Sequence, residues 1–219
     1  MKFKIVSLFV LCAILISCGT SRQGGKKQRK GTKAQVVLTP EQQRKYDYFF
    51  LEASRLKMKD DYSAAFDLLQ HCLTINPNAS SALYEISQYY MYLKQVPQGQ
   101  AALEKAVEND PDNYWYSQGL ASLYQQQNEM QKATNLLESM ATRFSDRMDP
   151  LYSLLDIYNR LEEYDNVITT LNRLEEKMGK NEQLSMEKFR IYLQKKDNQS
   201  AFREIESLVE EYPMDMRYQ

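Results

Sequence analysis

The sequence is poor in the residues from which most catalytic and metal sites are built. Its 219 residues include one histidine, His71, and three cysteines, Cys12, Cys18 and Cys72. It has neither a glycine-rich phosphate loop nor the His-Glu spacing typical of zinc sites. We find no set of residues that fits the roles of nucleophile, base and oxyanion donor. The sequence therefore predicts a protein that is not an enzyme and that needs no cofactor or metal.

Glycine and proline are also scarce, with seven and six residues respectively. Leu, Ala, Glu, Gln, Lys and Tyr make up the long stretches, and these residues favour helices over strands. The chain is 43% hydrophobic and 26% charged, an ordinary composition for a globular protein. We therefore expect an all-α fold.

Acidic residues are missing from one end of the chain. Residues 1–39 contain eight of the 28 basic residues and none of the 29 acidic ones. The rest of the chain therefore has 20 basic and 29 acidic residues, a net charge of about −9. A net-acidic body argues against binding to nucleic acid through its phosphates.

The N-terminus has the pattern of a secretory signal. Two lysines in the first four residues precede the uncharged run Ile5–Ile16. Such a run makes about 18 Å of helix, well short of a bilayer core. Leu15-Ile16-Ser17-Cys18 then resembles the bacterial lipobox. The resemblance implies that residues 1–17 are removed and that Cys18 is acylated. An ordinary signal peptide with an incidental cysteine and an uncleaved anchor are the alternatives.

The lipobox resemblance also implies a location. Acyl chains on Cys18 would fix the protein to a membrane of the bacterial cell envelope, expected to be the periplasmic side of a Gram-negative outer membrane. Residues 18–39 then form a flexible tether with four glycines and six basic residues and a reach of about 25 Å. The tether either is a solvated spacer or lies on anionic lipid. Thr39-Pro40-Glu41-Gln42 combines a capping residue, an N-terminal proline and a capping-box glutamine, so we expect a helix to begin at Pro40.

A strict internal repeat follows. Pro77 and Pro111 are 34 residues apart, and Pro213 lies three further periods along the chain. This period divides the domain 40–219 into five repeats without insertions. They are residues 46–79, 80–113, 114–147, 148–181 and 182–215.

The repeats resemble the tetratricopeptide repeat at several fixed positions. An aromatic or aliphatic residue stands at position 11, namely Leu56, Tyr90, Tyr124, Tyr158 and Tyr192. A small residue is typical of position 20, occupied here by Ala65, Gly99, Ala133, Val167 and Ala201. Position 24 is Leu69, Leu103, Leu137, Leu171 and Ile205, and position 27 is Cys72, Ala106, Met140, Leu174 and Leu208. The resemblance implies an α-solenoid of five helical hairpins in a right-handed superhelix.

Two features depart from the family pattern. Position 8 is small in Ala53, Ser87 and Ala121, but Leu155 and Phe189 occupy it in repeats four and five, where we expect a wider helix crossing or local repacking. Position 7 is usually apolar, yet Glu52 and Lys188 stand there in the two outer repeats. We attribute these charges to terminal repeats that face solvent.

In this family the first helix of each hairpin lines a concave groove. The corresponding positions predict an aromatic and amide surface that binds a peptide segment or another envelope protein. Its residues are Phe50, Tyr84, Gln88, Tyr92, Trp115, Gln118, Gln125, Gln126, Tyr152, Asp156 and Asn159. Alternatively, some of the aromatic rings fill the superhelix. Repeats one to three lack the Lys, Asn and Arg clamp with which some members hold a terminal carboxylate, so a carboxylate-tail ligand is not expected.

These features favour a lipid-anchored scaffold for protein-protein interaction. An outer-membrane or pilus assembly factor is one alternative, and a self-associating structural protein is another. No capping helix follows the fifth hairpin, so we expect the face with Ile205, Leu208 and Val209 to be partly exposed. That face would dock on a partner or a second copy, unless the sequence is the front part of a longer array. Alternatively, the charged residues of the last helix keep it solvated, namely Arg203, Glu204, Glu206, Glu210 and Glu211.

Overall fold

Ten α-helices follow one another in residues 37–214, the part of the chain that the computed structural model describes. These residues fall within a unit that spans Gln35–Gln219. The helices are α1 (Pro40–Lys57), α2 (Tyr62–Ile75), α3 (Ser80–Tyr92), α4 (Val96–Asn109), α5 (Tyr114–Gln126), α6 (Met130–Arg143), α7 (Asp149–Arg160), α8 (Tyr164–Met178), α9 (Glu182–Gln194) and α10 (Asn198–Glu211). Across residues 37–214, no helix is long and apolar enough to span a membrane.

The helices pair into five hairpins that stack in chain order. Each hairpin consists of an odd-numbered helix and the helix after it, and each also packs on the hairpins next to it. Helices α3, α5 and α9 begin at the first residue of a predicted repeat, and α7 begins one residue later. The expected fold class, an all-α solenoid of five helical hairpins, is confirmed. The predicted signal sequence, Cys18 and most of the tether lie outside the described residues.

The first helix begins where its capping residues predict. The side chain of Thr39 accepts a hydrogen bond from the backbone N–H of Gln42 at 3.2 Å. In return, the backbone N–H of Thr39 donates to Oε1 of Gln42 at 2.9 Å. Pro40 occupies the first turn, where its missing N–H costs no helical hydrogen bond. The expected capping box is therefore present.

The turn inside each hairpin has the same backbone conformation. One residue in each turn is left-handed, with φ between 56° and 61°, and these residues are spaced by 34: Asp60, Lys94, Asn128, Glu162 and Lys196. The N–H of the next residue donates to the carbonyl of position 11, as from Glu129 to Tyr124 at 2.8 Å. This bond closes the end of the first helix. Lysine and glutamate adopt the left-handed conformation less readily than glycine or asparagine, so three of these turns are strained.

The core follows the repeat positions closely. All five residues at position 20 and all five at position 27 are buried. Gly99 shows how close the helices are, because a Cβ atom there would lie 2.7 Å from Cε of Met91 and 3.1 Å from the carbonyl oxygen of Ser87. An alanine at this position would therefore have to displace the end of the Met91 side chain.

The small residues expected at position 8 are buried in the first three hairpins, where Ala53, Ser87 and Ala121 lie. Leu155 and Phe189, the larger residues at this position in the last two hairpins, are half buried. In the fourth hairpin the fully buried neighbour is Leu154, one residue earlier. In this hairpin Leu154 therefore fills the most buried position, and Leu155 lies partly exposed beside it.

The interpretation of Lys188 as a solvent-facing charge is wrong. Its side chain is buried, with 2% of the residue exposed. The ammonium lies 2.8 Å from Glu175 and 2.9 Å from Glu204, and Lys180 also pairs with Glu204, at 2.5 Å. We name Glu175, Lys180, Lys188 and Glu204 the ion cluster. It joins α8, α9 and α10, so the charge at position 7 of the last repeat connects helices. Glu52, its counterpart in the first repeat, is half buried and pairs with Arg55.

The partial exposure expected on α10 agrees with the structure at two of the three residues named for it. Leu208 is fully buried, and Ile205 and Val209 are partly buried. The 14-residue helix turns these side chains toward the preceding helices and presents Phe202 to solvent, with 66% of it exposed. The exposed apolar surface of the last helix therefore also includes Phe202, a residue outside the predicted face.

Candidate protein-binding groove

Helix α3 carries three of the predicted groove residues along one side. Tyr84, Gln88 and Tyr92 are four residues apart, a spacing that places side chains on the same face of a helix. Tyr84 is half buried, and its ring packs on Tyr116 of the next hairpin with 4.8 Å between ring centres. Tyr92 is 82% exposed. Along this face of α3, exposure to solvent therefore increases from Tyr84 to Tyr92.

Helices α5 and α7 continue this arrangement in the next two hairpins. Trp115 on α5 is 63% exposed, and Tyr152 on α7 is half exposed. The hydroxyl of Tyr152 donates to Sδ of Met178 at 3.3 Å. Asp156 and Asn159 are exposed on the same helix. Three successive hairpins thus each present an exposed aromatic side chain from their first helix.

The remaining predicted groove residues are less accessible or engaged locally. Phe50 and Gln118 are half buried. The ring of Phe50 stacks on Tyr46 at 5.9 Å, and Gln118 accepts a hydrogen bond from the hydroxyl of Tyr114 at 3.0 Å. Gln125 is half buried and Gln126 exposed. The alternative in which some aromatic rings fill the solenoid thus describes Phe50 and Tyr84 well.

An arginine fixes the aromatic residues at the start of α5. The guanidinium of Arg147 lies over the ring of Tyr114 at 4.0 Å and over Trp115 at 5.5 Å. Trp115 also packs edge-on against Tyr114 at 5.3 Å. These contacts support the indole on one side while most of it is exposed, which suits a residue that anchors a partner. No sequence pattern pointed to Arg147, which lies at the last position of its repeat.

A pocket of about 370 Å³ lies between the first two hairpins. Two predicted groove residues, Gln88 and Tyr92, line it together with Lys57 at the end of α1. Its other walls are Tyr62 at the start of α2 and Tyr89 on α3. Neither of these tyrosines stands at a position expected to face the groove. The pocket therefore extends the predicted surface toward the turns of the hairpins.

Other tyrosines join neighbouring hairpins. The hydroxyl of Tyr124 donates to Glu104 at 2.9 Å, and that of Tyr158 donates to Glu138 at 3.2 Å. Burial, together with the nearby Glu138 carboxylate, raises the pKa of Tyr158 to about 12. Both rings thus remain neutral hydrogen-bond donors at neutral pH. Their role is structural, as expected for position 11.

The described residues include no reactive constellation. Cys72 is fully buried, and burial raises the pKa of its thiol to about 11, so the thiol stays protonated at neutral pH. His71 is exposed and lies beside the ring of Phe49, with 5.6 Å between ring centres. Between residues 37 and 214 no three His, Cys, Asp or Glu side chains are placed to hold a metal ion.

The comparisons with known proteins agree with the hairpin geometry. A family model described as tetratricopeptide repeat matches residues 80–113, the second predicted repeat. No curated protein has a matching sequence. A tetratricopeptide repeat protein from Parabacteroides merdae is similar in structure, with a TM-score of 0.56 and 16% identity over 80% of this chain and 70% of that one. The fold is a tetratricopeptide repeat array.

Two further solved structures resemble this repeat array. The MamA protein has a TM-score of 0.56 and 18% identity, over 81% of this chain and 97% of that one. YrrB, described as a repeat protein of this class with an unusual peptide-binding site, has a TM-score of 0.53 and 13% identity. That likeness covers 78% of this chain and 88% of YrrB. At these identities the likeness shows the fold.

Proposed function

We propose that this repeat array is a lipid-anchored scaffold of the bacterial cell envelope that binds a segment of another protein along its first helices. The observation that carries the proposal is that α3, α5 and α7 each present an exposed aromatic side chain, namely Tyr92, Trp115 and Tyr152. Tryptophan and tyrosine are enriched where the binding energy of protein interfaces is concentrated. The amides of Gln88 and Asn159 lie on the same helices and can pair with a peptide backbone.

Binding to a peptide segment fits the architecture. A solenoid presents an extended surface made of one helix from each repeat, and an extended ligand can contact several repeats at once. YrrB, which has a similar fold, is described as having a peptide-binding site. Subunits that assist assembly of outer-membrane barrels or pili would use such a surface, and this remains the alternative within the same class.

The groove is tested by capturing partners with the purified full-length chain from detergent-solubilised bacterial envelopes. We expect a discrete partner, and replacing Trp115 and Tyr152 together by alanine should reduce its recovery at least tenfold, since two anchoring aromatic residues contribute about 2 kcal/mol or more to binding. The matched control replaces Tyr48 and Phe202, which are 64% and 66% exposed on the two outer helices. Equal recovery with both variants would contradict the groove assignment.

Self-association is a second candidate because both outer helices present large apolar side chains. Tyr48 and Leu51 are exposed on α1, and Phe202 is exposed on α10. If these faces met between copies, the capture experiment would recover only the chain itself, and the control variant with Tyr48 and Phe202 replaced would lose that recovery.

The lipid anchor is tested separately at Cys18. We expect Cys18→Ala to abolish incorporation of a fatty-acid analogue, because the cysteine thiol is the acceptor that the lipobox resemblance implies. The altered protein should accumulate as uncleaved precursor or as soluble protein. Incorporation that survives the substitution would overturn the lipobox interpretation, and Cys72→Ala, which changes a buried thiol, is the matched control.

A further inference from the structure

We propose that the pocket between the first two hairpins binds a proline-containing extended segment of the partner protein. We name the side chains of Lys57, Tyr62, Gln88, Tyr89 and Tyr92 the tyrosine pocket. The inference rests on the proposed function, because the tyrosine pocket continues the predicted groove, and it gives the chemistry of what is bound.

The walls of the tyrosine pocket are mainly aromatic, and another aromatic ring packs against them. The rings of Tyr62 and Tyr89 meet edge-on, with 6.4 Å between centres at an angle of 61°. Phe66 supports Tyr89 from α2 at 5.8 Å. Tyr92 stands at the rim and is largely exposed. A volume of about 370 Å³ accommodates one or two compact side chains of a peptide.

Tyr89 has an unsatisfied polar group. The residue is 8% exposed, and its buried hydroxyl has no hydrogen-bond partner among residues 37–214. A buried polar group without a partner is uncommon in folded proteins and is costly. Lys57 lines the same pocket with a side chain that is 48% exposed. A ligand with a hydrogen-bond acceptor would satisfy the hydroxyl.

The charges around the tyrosine pocket favour a neutral acceptor. The ammonium of Lys57 already pairs with Glu85 at 2.7 Å. The hydroxyl of Tyr62 donates to Asp60 at 2.8 Å, which places a second carboxylate beside the pocket. An anionic ligand would be repelled by these carboxylates. A backbone carbonyl supplies the acceptor without a charge.

Proline-containing segments meet both requirements. In the polyproline II conformation the backbone carbonyls have no internal hydrogen bonds, so they are available as acceptors. Such segments dock in grooves lined by aromatic rings, and their preformed conformation loses little entropy on binding. Tyr62, Tyr89 and Tyr92 provide the rings, and the hydroxyl of Tyr89 and the amide of Gln88 provide donors. The partner is therefore expected to present prolines at this end of the groove.

The test is an NMR titration of the full-length chain, labelled in its tyrosine rings, with acetylated decaproline. We expect saturable shifts of Tyr62, Tyr89 and Tyr92, and no saturable shifts with a glycine-serine peptide of equal length. Tyr89→Phe should weaken decaproline binding about three- to tenfold, because it removes one hydrogen bond and keeps the ring. The same variant should leave the thermal midpoint unchanged or raise it, since the hydroxyl has no partner in the unliganded protein.

Tyr158→Phe is the matched control, because it removes a hydroxyl that is bonded to Glu138 away from the pocket. It should lower the thermal midpoint and leave decaproline binding unchanged. The proposal is overturned if Tyr89→Phe binds decaproline as tightly as the unaltered chain, or if the glycine-serine peptide or one containing phenylalanine in place of proline binds better. Loss of the tyrosine pocket and loss of the groove are distinguishable: partner capture that needs Trp115 would stand even if decaproline failed to bind.

Discussion

Replacing Lys188 by methionine is expected to lower the free energy of unfolding by about 3–5 kcal/mol, as removal of one member of a buried ion pair typically does. Methionine fills a similar volume, but it leaves Glu175 and Glu204 close together with Lys180 as their remaining cation. Two largely buried carboxylates that share a single cation are costly. Urea denaturation followed by circular dichroism measures the loss.

Lys132→Met is the control for this experiment. Lys132 pairs with Glu129 at 2.9 Å, but its side chain is 53% exposed, and exposed pairs contribute about 0–1 kcal/mol. If the two variants lose equal stability, the ion cluster has no special role.

The ion cluster also makes stability depend on pH. Burial acts to raise the pKa of Glu204, but hydrogen bonds from Lys180 and Lys188 outweigh it and hold the pKa below its ordinary value of 4.5. The contribution of Glu204 is therefore fully present above that value and is lost as the pH falls through the lower folded value. The acid limb of the stability profile should be shallower in Lys188→Met than in the unaltered chain.

Replacing Ala133 by leucine is expected to cost about 1–3 kcal/mol, the usual effect of overpacking a closely packed core. Ala133 is fully buried at position 20 of its repeat, where α6 crosses α5. The fourth repeat has Val167 at the same position, so Ala133→Val should cost less than Ala133→Leu. Thermal unfolding measures both.

Ala101→Leu provides the comparison on a solvent-facing side of α4, where Ala101 is exposed. A leucine there should change the free energy of unfolding by less than about 0.5 kcal/mol. An equal cost at the two positions would show that the assigned repeat register is wrong.

Much of the fold could be predicted because the repeat constrains it several times over. The period of 34 residues recurs with a small residue at position 20 and an apolar or small residue at position 27. Few helix arrangements other than stacked hairpins would bury all of these residues. The structure buries every residue at these positions, including Cys72 and Val167, which depart from the commonest choice. The start of α1 was predictable for a local reason, since Thr39, Pro40 and Gln42 each favour the same helix end.

The features that could not be predicted depend on neighbours distant in sequence. Lys188 looks like a surface charge until Glu175 on α8 and Glu204 on α10 are brought beside it. The exposed residue of α10 depends on how that helix rotates against α9, which buries Leu208 and exposes Phe202. Tyr89 was missed because its position normally faces away from the groove, whereas the pocket lies at the turn end of the hairpins. The left-handed turn residues are spaced by 34, like the repeats, but none of them is a glycine, the residue that usually indicates this conformation.

The stacking of consecutive helices has a consequence for how the chain folds. Helices contact mainly those just before and after them, so each contact joins residues that are close along the sequence. Such low contact order favours folding within milliseconds or faster, because little loop-closure entropy is lost before contacts form. During synthesis from the N-terminus, the two helices of a hairpin can therefore pack together as soon as the second helix is complete. That hairpin then offers a surface on which the next hairpin can pack. Folding can thus advance along the array one hairpin at a time while the later repeats are still being made.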